Sequence, residues 1–219
     1  MYWITIPSFI CLEVLLITRI RKDPEVRQAE LIDAALELFS SVGYEETMII
    51  DIVKKTGVAK GTFYYYFPTK EAILEAICNR WANELATSFQ LKSRQLTALN
   101  KLQLFILQML LPSPVDALFD RLWSEKQVNL IYQIWQKQIE SVFNPLLANI
   151  LQQGNQEGSM AVIHINETIS FFWSTLNCIW DALFLKESSE VFLNKVKIAE
   201  SVLERILGIK EGVLELSIT

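Results

Sequence analysis

The segment from Thr47 to Lys70, TMIIDIVKKTGVAKGTFYYYFPTK, constrains the fold of this chain more than any other part. Gly57 and Pro68 interrupt it, and glycine commonly ends a helix whereas proline cannot continue one. The segment therefore predicts two short helices separated by a turn at Gly57-Val58. Such a pair forms a helix-turn-helix, a motif whose second helix enters the major groove of DNA.

Local signals also predict the helices on either side of this segment. Asp23 is a suitable N-cap for a first helix that starts at Pro24 and ends at Gly43. Thr47 is predicted to cap the second helix. Thr69 is predicted to cap a fourth helix that runs to about Phe89.

The rest of the chain predicts helices only. Its 219 residues include 7 Gly and 6 Pro, are 51% hydrophobic, and show no series of short alternating segments. The expected helices are 96–111, 115–123, 126–153 with a kink at Pro145, 167–185 and 189–207. Gly154 and Gly158 are predicted to form a turn, and Gly208 to end the last helix.

The fold class is thus all-α. We expect an N-terminal three-helix helix-turn-helix DNA-binding domain at 19–68, joined to a larger helical ligand-binding and dimerisation domain at 69–210. Residues 211–219 are expected to form a tail. Residues 1–18 are an apolar extension that lacks a basic n-region; our preferred explanation is a start codon assigned too far upstream. A genuine extension packed on the body and a membrane anchor are the alternatives.

Five consecutive aromatic residues, from Phe63 to Phe67, occupy the second helix of the motif. In so short a helix they cover every face, so some of them must be exposed, and exposed aromatic side chains call for a binding explanation. Phe63 and Phe67 are one turn apart and are predicted to be buried. Lys60, Gly61, Thr62, Tyr64 and Tyr65 are then left on the DNA side, where hydroxyls and a cation can bond phosphate.

The charge distribution permits DNA binding although the net charge is −5. Residues 54–70 hold four lysines and no acidic residue. Local basic surface decides phosphate contact, and the charge of the whole chain is a poor guide to it.

The same segment closely resembles the TetR family of regulators over about 50 residues, from Asp23 to about Leu74. The residues that carry the resemblance are Gly43, Tyr44, Thr47, Ile52, Val53, Gly57, Val58, Lys60, Gly61, Thr62, Phe63, Tyr64, Tyr66, Phe67, Lys70 and Glu71. The resemblance implies DNA contacts from Thr47, Lys60, Gly61, Thr62, Tyr64, Tyr65, Tyr66 and Lys70. Met48 and Ala59 depart from the family pattern, which commonly has hydroxyl residues there.

The C-terminal part is rich in large apolar rings, which suggests an effector cavity between helices, although ordinary helix packing is the better explanation for any single one of them. The pocket candidates are Trp81, Phe105, Met109, Trp123, Tyr132, Trp135 and Trp173. The resemblance implies that the last two helices form a four-helix bundle with a second copy. The dimer-interface candidates are Ile169, Phe172, Leu176, Trp180, Leu183, Val196 and Leu203; a monomer that buries them internally is the alternative.

Three other classes of function have less support. An enzyme would need a catalytic set, a phosphate-binding loop or a metal cluster, and the sequence has none. A purely structural helical protein would not need Lys60-Gly61-Thr62 beside exposed tyrosines. A membrane-tethered regulator rests on residues 1–18 alone, and we expect no membrane partner.

Together these observations predict a cytoplasmic, homodimeric transcriptional regulator without catalytic residues, metal or cofactor. It would bind double-stranded operator DNA as a repressor and be released by a small-molecule effector. The effector is expected to be lipophilic, because His and Arg are scarce in the C-terminal segments. The sequence does not disclose the operator, the identity of the effector or the regulated genes.

Overall fold

The computed structural model describes residues 23–216, and helices are the only regular secondary structure within them. The helices are α1 (Pro24–Ser41), α2 (Ile49–Thr56), α3 (Lys60–Tyr66), α4 (Lys70–Ser93), α5 (Ala98–Leu110), α6 (Asp116–Ser124), α7 (Val128–Gln138), α8 (Asn144–Glu157), α9 (Ile165–Phe184) and α10 (Ser189–Leu207). The predicted all-α class is confirmed. The predicted extension at 1–18 lies outside the described residues.

Most helix ends lie where the sequence signals predict them. The Asp23 carboxylate accepts a hydrogen bond from the backbone N–H of Glu25 at the start of α1. The Thr69 hydroxyl accepts from Ala72 N–H at the start of α4. Gly57 ends α2 at φ +67°, a left-handed conformation that costs glycine little.

Thr47 is not the cap of α2, contrary to the sequence prediction. Its hydroxyl donates to the carbonyl oxygen of Gly43 over 2.6 Å and accepts no hydrogen bond from α2 within the described residues. The N-cap position is Met48, whose backbone N–H is bound by the Asp51 carboxylate at 3.0 Å. This bond is one half of a capping box, supplied by the third residue of the helix.

The predicted kinked helix at 126–153 is two helices, α7 and α8, joined by a π-helical turn at Ile139–Phe143. Pro145 follows this turn, in the first turn of α8, where its missing N–H costs little. The predicted turn at Gly154 and Gly158 is wrong in its first residue. Gly154 lies inside α8, and only Gly158 adopts the left-handed conformation that ends it.

The buried side chains form two clusters that share α4. One holds α1–α3, the first half of α4, and residues of α6 and α7 such as Leu118 and Ile134. The other holds the second half of α4 with α5 and α8–α10. Trp81 packs against both clusters, so α4 is a joint between two packed bodies.

The end of the chain is held against the second cluster as far as the structure describes it. The Glu204 carboxylate accepts from the backbone N–H groups of Val213 and Leu214 at 2.8 and 2.9 Å. These bonds lower the pKa of Glu204, the bond from Leu214 being the largest cause. Leu214 and Leu216 are buried. None of the helices described within 23–216 has the length and apolar character that crossing a membrane requires.

Candidate DNA-binding surface and ligand cavity

Helix α3 is anchored to the first cluster by two phenylalanine rings. Phe63 is fully buried and Phe67 nearly so, and their ring centroids are 5.9 Å apart. Phe63 also contacts the ring of Tyr64 edge-on at 5.6 Å. Burial of one face fixes the rotation of this short helix, and the opposite face is therefore presented to solvent.

The solvent face of α3 carries the residues predicted to contact DNA. Lys60 and Gly61 are exposed, and Tyr64 and Tyr65 are 44% and 81% exposed. The Lys60 ammonium lies 5.8 Å from the centre of the Tyr64 ring. Thr62 and Tyr66 are half-buried at the sides of this face.

Gly61 has no packing partner that would demand a glycine. A Cβ atom built at this position meets no other protein atom within 4 Å. Its φ also lies outside the left-handed region. The fold therefore does not explain this glycine, whereas a close approach of α3 to DNA would.

Thr47 and Lys70 are engaged inside the protein. Thr47 is 2% exposed and its hydroxyl is already bonded, so the prediction that it contacts DNA is corrected: it fixes the α1–α2 loop. The Lys70 ammonium donates to the carbonyl oxygens of Tyr44, Glu45 and Thr47 at 2.7, 3.3 and 3.2 Å. These bonds use its three donors, and a phosphate contact by Lys70 stays a prediction.

The ring of Tyr44 also contacts the Lys70 ammonium and helps to hold it at the α1–α2 loop. The Lys70 ammonium lies 4.3 Å from the centre of its ring, a cation–π distance. Burial, followed by the nearby carboxylate of Glu71, raises the pKa of Tyr44 well above its usual range. Tyr44 therefore stays neutral, and its ring attracts the ammonium.

A cavity of about 420 Å³ lies between α4, α5, α6, α7 and α9. Of the seven predicted pocket residues, four line it: Trp81, Met109, Trp123 and Trp135. Phe105 and Trp173 lie in the buried cluster beneath it. Tyr132 is 63% exposed and does not line it, so the prediction for these three residues is corrected.

Aromatic rings form much of the cavity wall. Trp135 meets Trp180 edge-on at 5.1 Å and lies 6.0 Å from Trp81. Trp123 of α6 stacks on Phe184 of α9 at 6.0 Å. The indole N–H of Trp180 donates to the carbonyl oxygen of Met109, which fixes this ring at the cavity.

Several lining residues were not predicted as pocket residues. Phe119, Asp120, Asp181 and Phe184 line the cavity, and so does Trp180, which was assigned to the dimer interface. The helical spacing of Phe119 with Trp123, and of Trp180 with Phe184, is a sequence signal that could have grouped them.

Five of the seven predicted dimer residues are buried within one copy of the chain, which corrects that assignment. Ile169, Phe172, Leu176, Val196 and Leu203 are at most 5% exposed. Leu183 is 45% exposed but lines the cavity. The solvent faces of α9 and α10 instead expose the apolar side chains of Phe171, Cys178, Val191, Ile198 and Val202.

The N-terminal part of the chain is similar in sequence to known bacterial regulatory proteins. Residues 31–77 match the family model of bacterial regulatory proteins of the tetR family. The chain is 36% identical over 67 residues to the negative transcriptional regulator IcaR of the biofilm operon icaADBC of Staphylococcus aureus, covering 29% of this chain and 36% of IcaR. The chain thus spans well under half the length of the curated relatives it matches, down to 20% in one case.

Solved structures show the same fold over most of the chain. A transcriptional regulator from Saccharomonospora viridis in complex with choline covers 84% of this chain and 98% of its own, with a TM-score of 0.63 and 16% identity. FadR from Bacillus subtilis in complex with stearoyl-CoA covers 83% and 99%, with a TM-score of 0.57 and 23% identity. Residues 31–77 therefore carry the DNA-binding segment of the tetR family of bacterial regulatory proteins, and the chain shares its all-helical fold with these solved structures.

Proposed function

We propose that this protein is a transcriptional repressor that binds operator DNA through α3 and leaves it when a small molecule occupies the cavity. The observation that carries the proposal is the exposed face of α3. Lys60, Tyr64 and Tyr65 are held outward by the burial of Phe63 and Phe67. This is the geometry in which a recognition helix offers hydroxyls and a cation to phosphates and base edges.

Similarity to IcaR supports repression over activation of transcription. IcaR, which is similar over the DNA-binding segment, is named as a negative transcriptional regulator. A DNA-binding protein of this kind acts where bacterial DNA lies, so we place it in the cytoplasm.

A homodimer would present two copies of α3 to two half-sites about one DNA turn apart. The exposed apolar side chains of α9 and α10 support this arrangement. Phe171 is 65% and Ile198 is 64% exposed, on helices that pack against one another. Exposed apolar area on adjacent helices is typical of a surface that a second copy covers.

The cavity supports binding of a small-molecule effector. Its volume of about 420 Å³ lies within the range of about 300–1,000 Å³ common for ligand pockets. Two proteins of the same fold hold small molecules in their structures, choline in one and stearoyl-CoA in the other.

Helix α6 connects this cavity to the DNA-binding part. Phe119 and Trp123 line the cavity, whereas Leu118 and Leu122 are buried in the cluster that contains α1. Helix α4 provides a second route, because Trp81 lines the cavity and Ile73 packs beside α1–α3. A ligand that favours one position of these helices would change the separation of the two α3 copies and weaken their fit to DNA.

Binding of the full chain to a DNA duplex from upstream of its own gene tests the proposal. We expect selective binding relative to a scrambled duplex of equal composition, and a steep fall in affinity with salt. Lys60→Ala should weaken binding to both duplexes and reduce the salt slope by about one. Lys92→Ala removes an exposed lysine of α4 and is the matched control. Equal binding to both duplexes at every salt concentration would contradict a regulatory function.

A further inference from the structure

The charged side chains that line the cavity are all acidic. Three aspartates line the cavity, Asp116 and Asp120 on α6 and Asp181 on α9, together with four tryptophans and two phenylalanines. No lysine, arginine or histidine is among the lining residues that the structure describes. The cavity thus combines aromatic walls with negative charge and no compensating cation.

Two of these carboxylates are available to a ligand. Asp116 is engaged, because it accepts a hydrogen bond from the backbone N–H of Ser113 at 2.8 Å. Asp120 and Asp181 are solvent-accessible, and neither side chain makes an ion pair or hydrogen bond with any residue between 23 and 216. Both can therefore face a positive charge in the cavity without giving up an existing partner.

The aromatic wall has the same preference for positive charge. Trp135 and Trp180 meet at 84° with ring centroids 5.1 Å apart, so the two rings present differently oriented surfaces. Trp123 and Phe184, which are both partly exposed, stack on each other in the cavity wall. The face of an indole ring carries negative potential and attracts organic cations, most strongly where water is displaced.

An anionic amphiphile fits this lining poorly. Its acyl part could occupy the aromatic wall, but its charged group would meet Asp120 and Asp181 without a cation to neutralise it. Like charges in a partly enclosed site repel more strongly than in bulk water, because the lower local dielectric screens them less.

We propose that the effector site binds a lipophilic organic cation, whose apolar groups lie against the tryptophans and whose charge lies near Asp120 and Asp181. This inference rests on the proposed function for the role of the cavity, and it adds the chemical class of the ligand.

Two ions of nearly equal size and shape and of opposite charge test the inference. Tetraphenylphosphonium and tetraphenylborate are titrated separately into the full chain by isothermal titration calorimetry. We expect the cation to bind roughly ten-fold more tightly than the anion, since two exposed carboxylates each contribute a few-fold. The double variant Asp120→Asn/Asp181→Asn should reduce this preference to about three-fold or less.

The control variant Glu46→Gln/Glu140→Gln removes the same net charge from exposed positions that do not line the cavity, and it should keep the full preference. Equal affinities, tighter binding of the anion, or no saturable binding of either ion would overturn the inference. So would an equal loss of preference in both double variants, because attraction would then come from net charge alone. Calorimetry contains no DNA, so a failed operator titration affects the proposed function and not this result.

Discussion

The guanidinium of Arg121 donates a hydrogen bond to the carbonyl oxygen of Ser41 over 2.8 Å. Arg121 lies on α6 and Ser41 is the last residue of α1, so the bond ties a cavity-lining helix to the DNA-binding part. A second bond from Arg121 reaches the Ser40 carbonyl at 3.4 Å. A cation at the carbonyl end of a helix also interacts favourably with the helix dipole. A displacement of α6 by a ligand would therefore be transmitted directly to the end of α1.

Arg121→Met should weaken this connection while keeping the aliphatic stem of the side chain. We expect the free energy of unfolding to fall by about 1 kcal/mol, because the side chain is exposed and its bonds compete with water. For a chain of this size that corresponds to a Tm lower by about 2–4 °C. The tetraphenylphosphonium concentration that half-releases the DNA should rise several-fold, as measured by fluorescence anisotropy.

Arg94→Met is the matched control for this variant, because Arg94 is exposed and its side chain makes no bond to the part of the chain described. Its release midpoint should equal that of the original protein. If Arg121→Met releases DNA at the original concentration, communication does not pass through this bond.

Lys70→Met should lower stability and DNA affinity together. The ammonium holds three carbonyl groups of the α1–α2 loop, which leads into the helix-turn-helix. Hydrogen bonds from a charged group contribute about 1.5–3 kcal/mol each in favourable cases, and a total loss of about 2–3 kcal/mol is expected for this partly buried side chain. Urea unfolding measures the loss, and titration with operator DNA measures the affinity.

Lys60→Met is the comparison for Lys70→Met, since both remove one positive charge near α3. Lys60 is exposed, and its substitution should weaken DNA binding at unchanged stability. Should Lys70→Met show the same pattern, with full stability, Lys70 would be a phosphate contact and not a support for the loop.

The sequence predicted those features that depend on neighbouring residues. The caps at Asp23 and Thr69 and the helix end at Gly57 follow from local backbone chemistry, and the structure has all three. Thr47 satisfies the same local rule, but the N-cap position of α2 is one residue later, at Met48, and the Thr47 hydroxyl donates to the Gly43 carbonyl within the α1–α2 loop. A threonine hydroxyl can bond a loop carbonyl or a helix N–H, and the path of the loop, which the sequence does not show, decides which group is within reach.

The sequence pattern predicts where the helices lie better than it predicts which face of each helix is buried. Helix α9 is apolar on more than one side, so its periodicity could not show which side meets α10 and which meets solvent. Phe172 and Leu176 lie inward, Phe171 lies outward, and Trp180 lines the cavity. The residues of a cavity come from several helices, and only the packing of these helices places Asp120 of α6 and Asp181 of α9 in the lining of one cavity.

Phe63→Ala and Tyr64→Ala should impair different properties, stability and DNA affinity respectively, although the residues are adjacent. Phe63 is fully buried, and its truncation should destabilise the protein by about 3–5 kcal/mol. Tyr64 is 44% exposed, and its truncation should lower operator affinity by a factor of about 5–50 with a Tm within a few degrees of the original. Thermal unfolding and DNA titration of both variants separate these outcomes. A large loss of Tm in Tyr64→Ala would place this residue in the core and remove it from the DNA-binding surface.

Ile198→Glu should prevent dimerisation if the solvent faces of α9 and α10 form the interface between copies. Ile198 is 64% exposed, so the substitution leaves the interior of one copy intact but would bury an unpaired carboxylate between two. We expect the mass measured by sedimentation equilibrium to fall from twice to once the chain mass of 25.2 kDa. Val26→Glu introduces the same charge at a 50% exposed position of α1 and should leave the mass unchanged. A dimer that persists in Ile198→Glu, with helical content unchanged, would require the copies to meet through another surface.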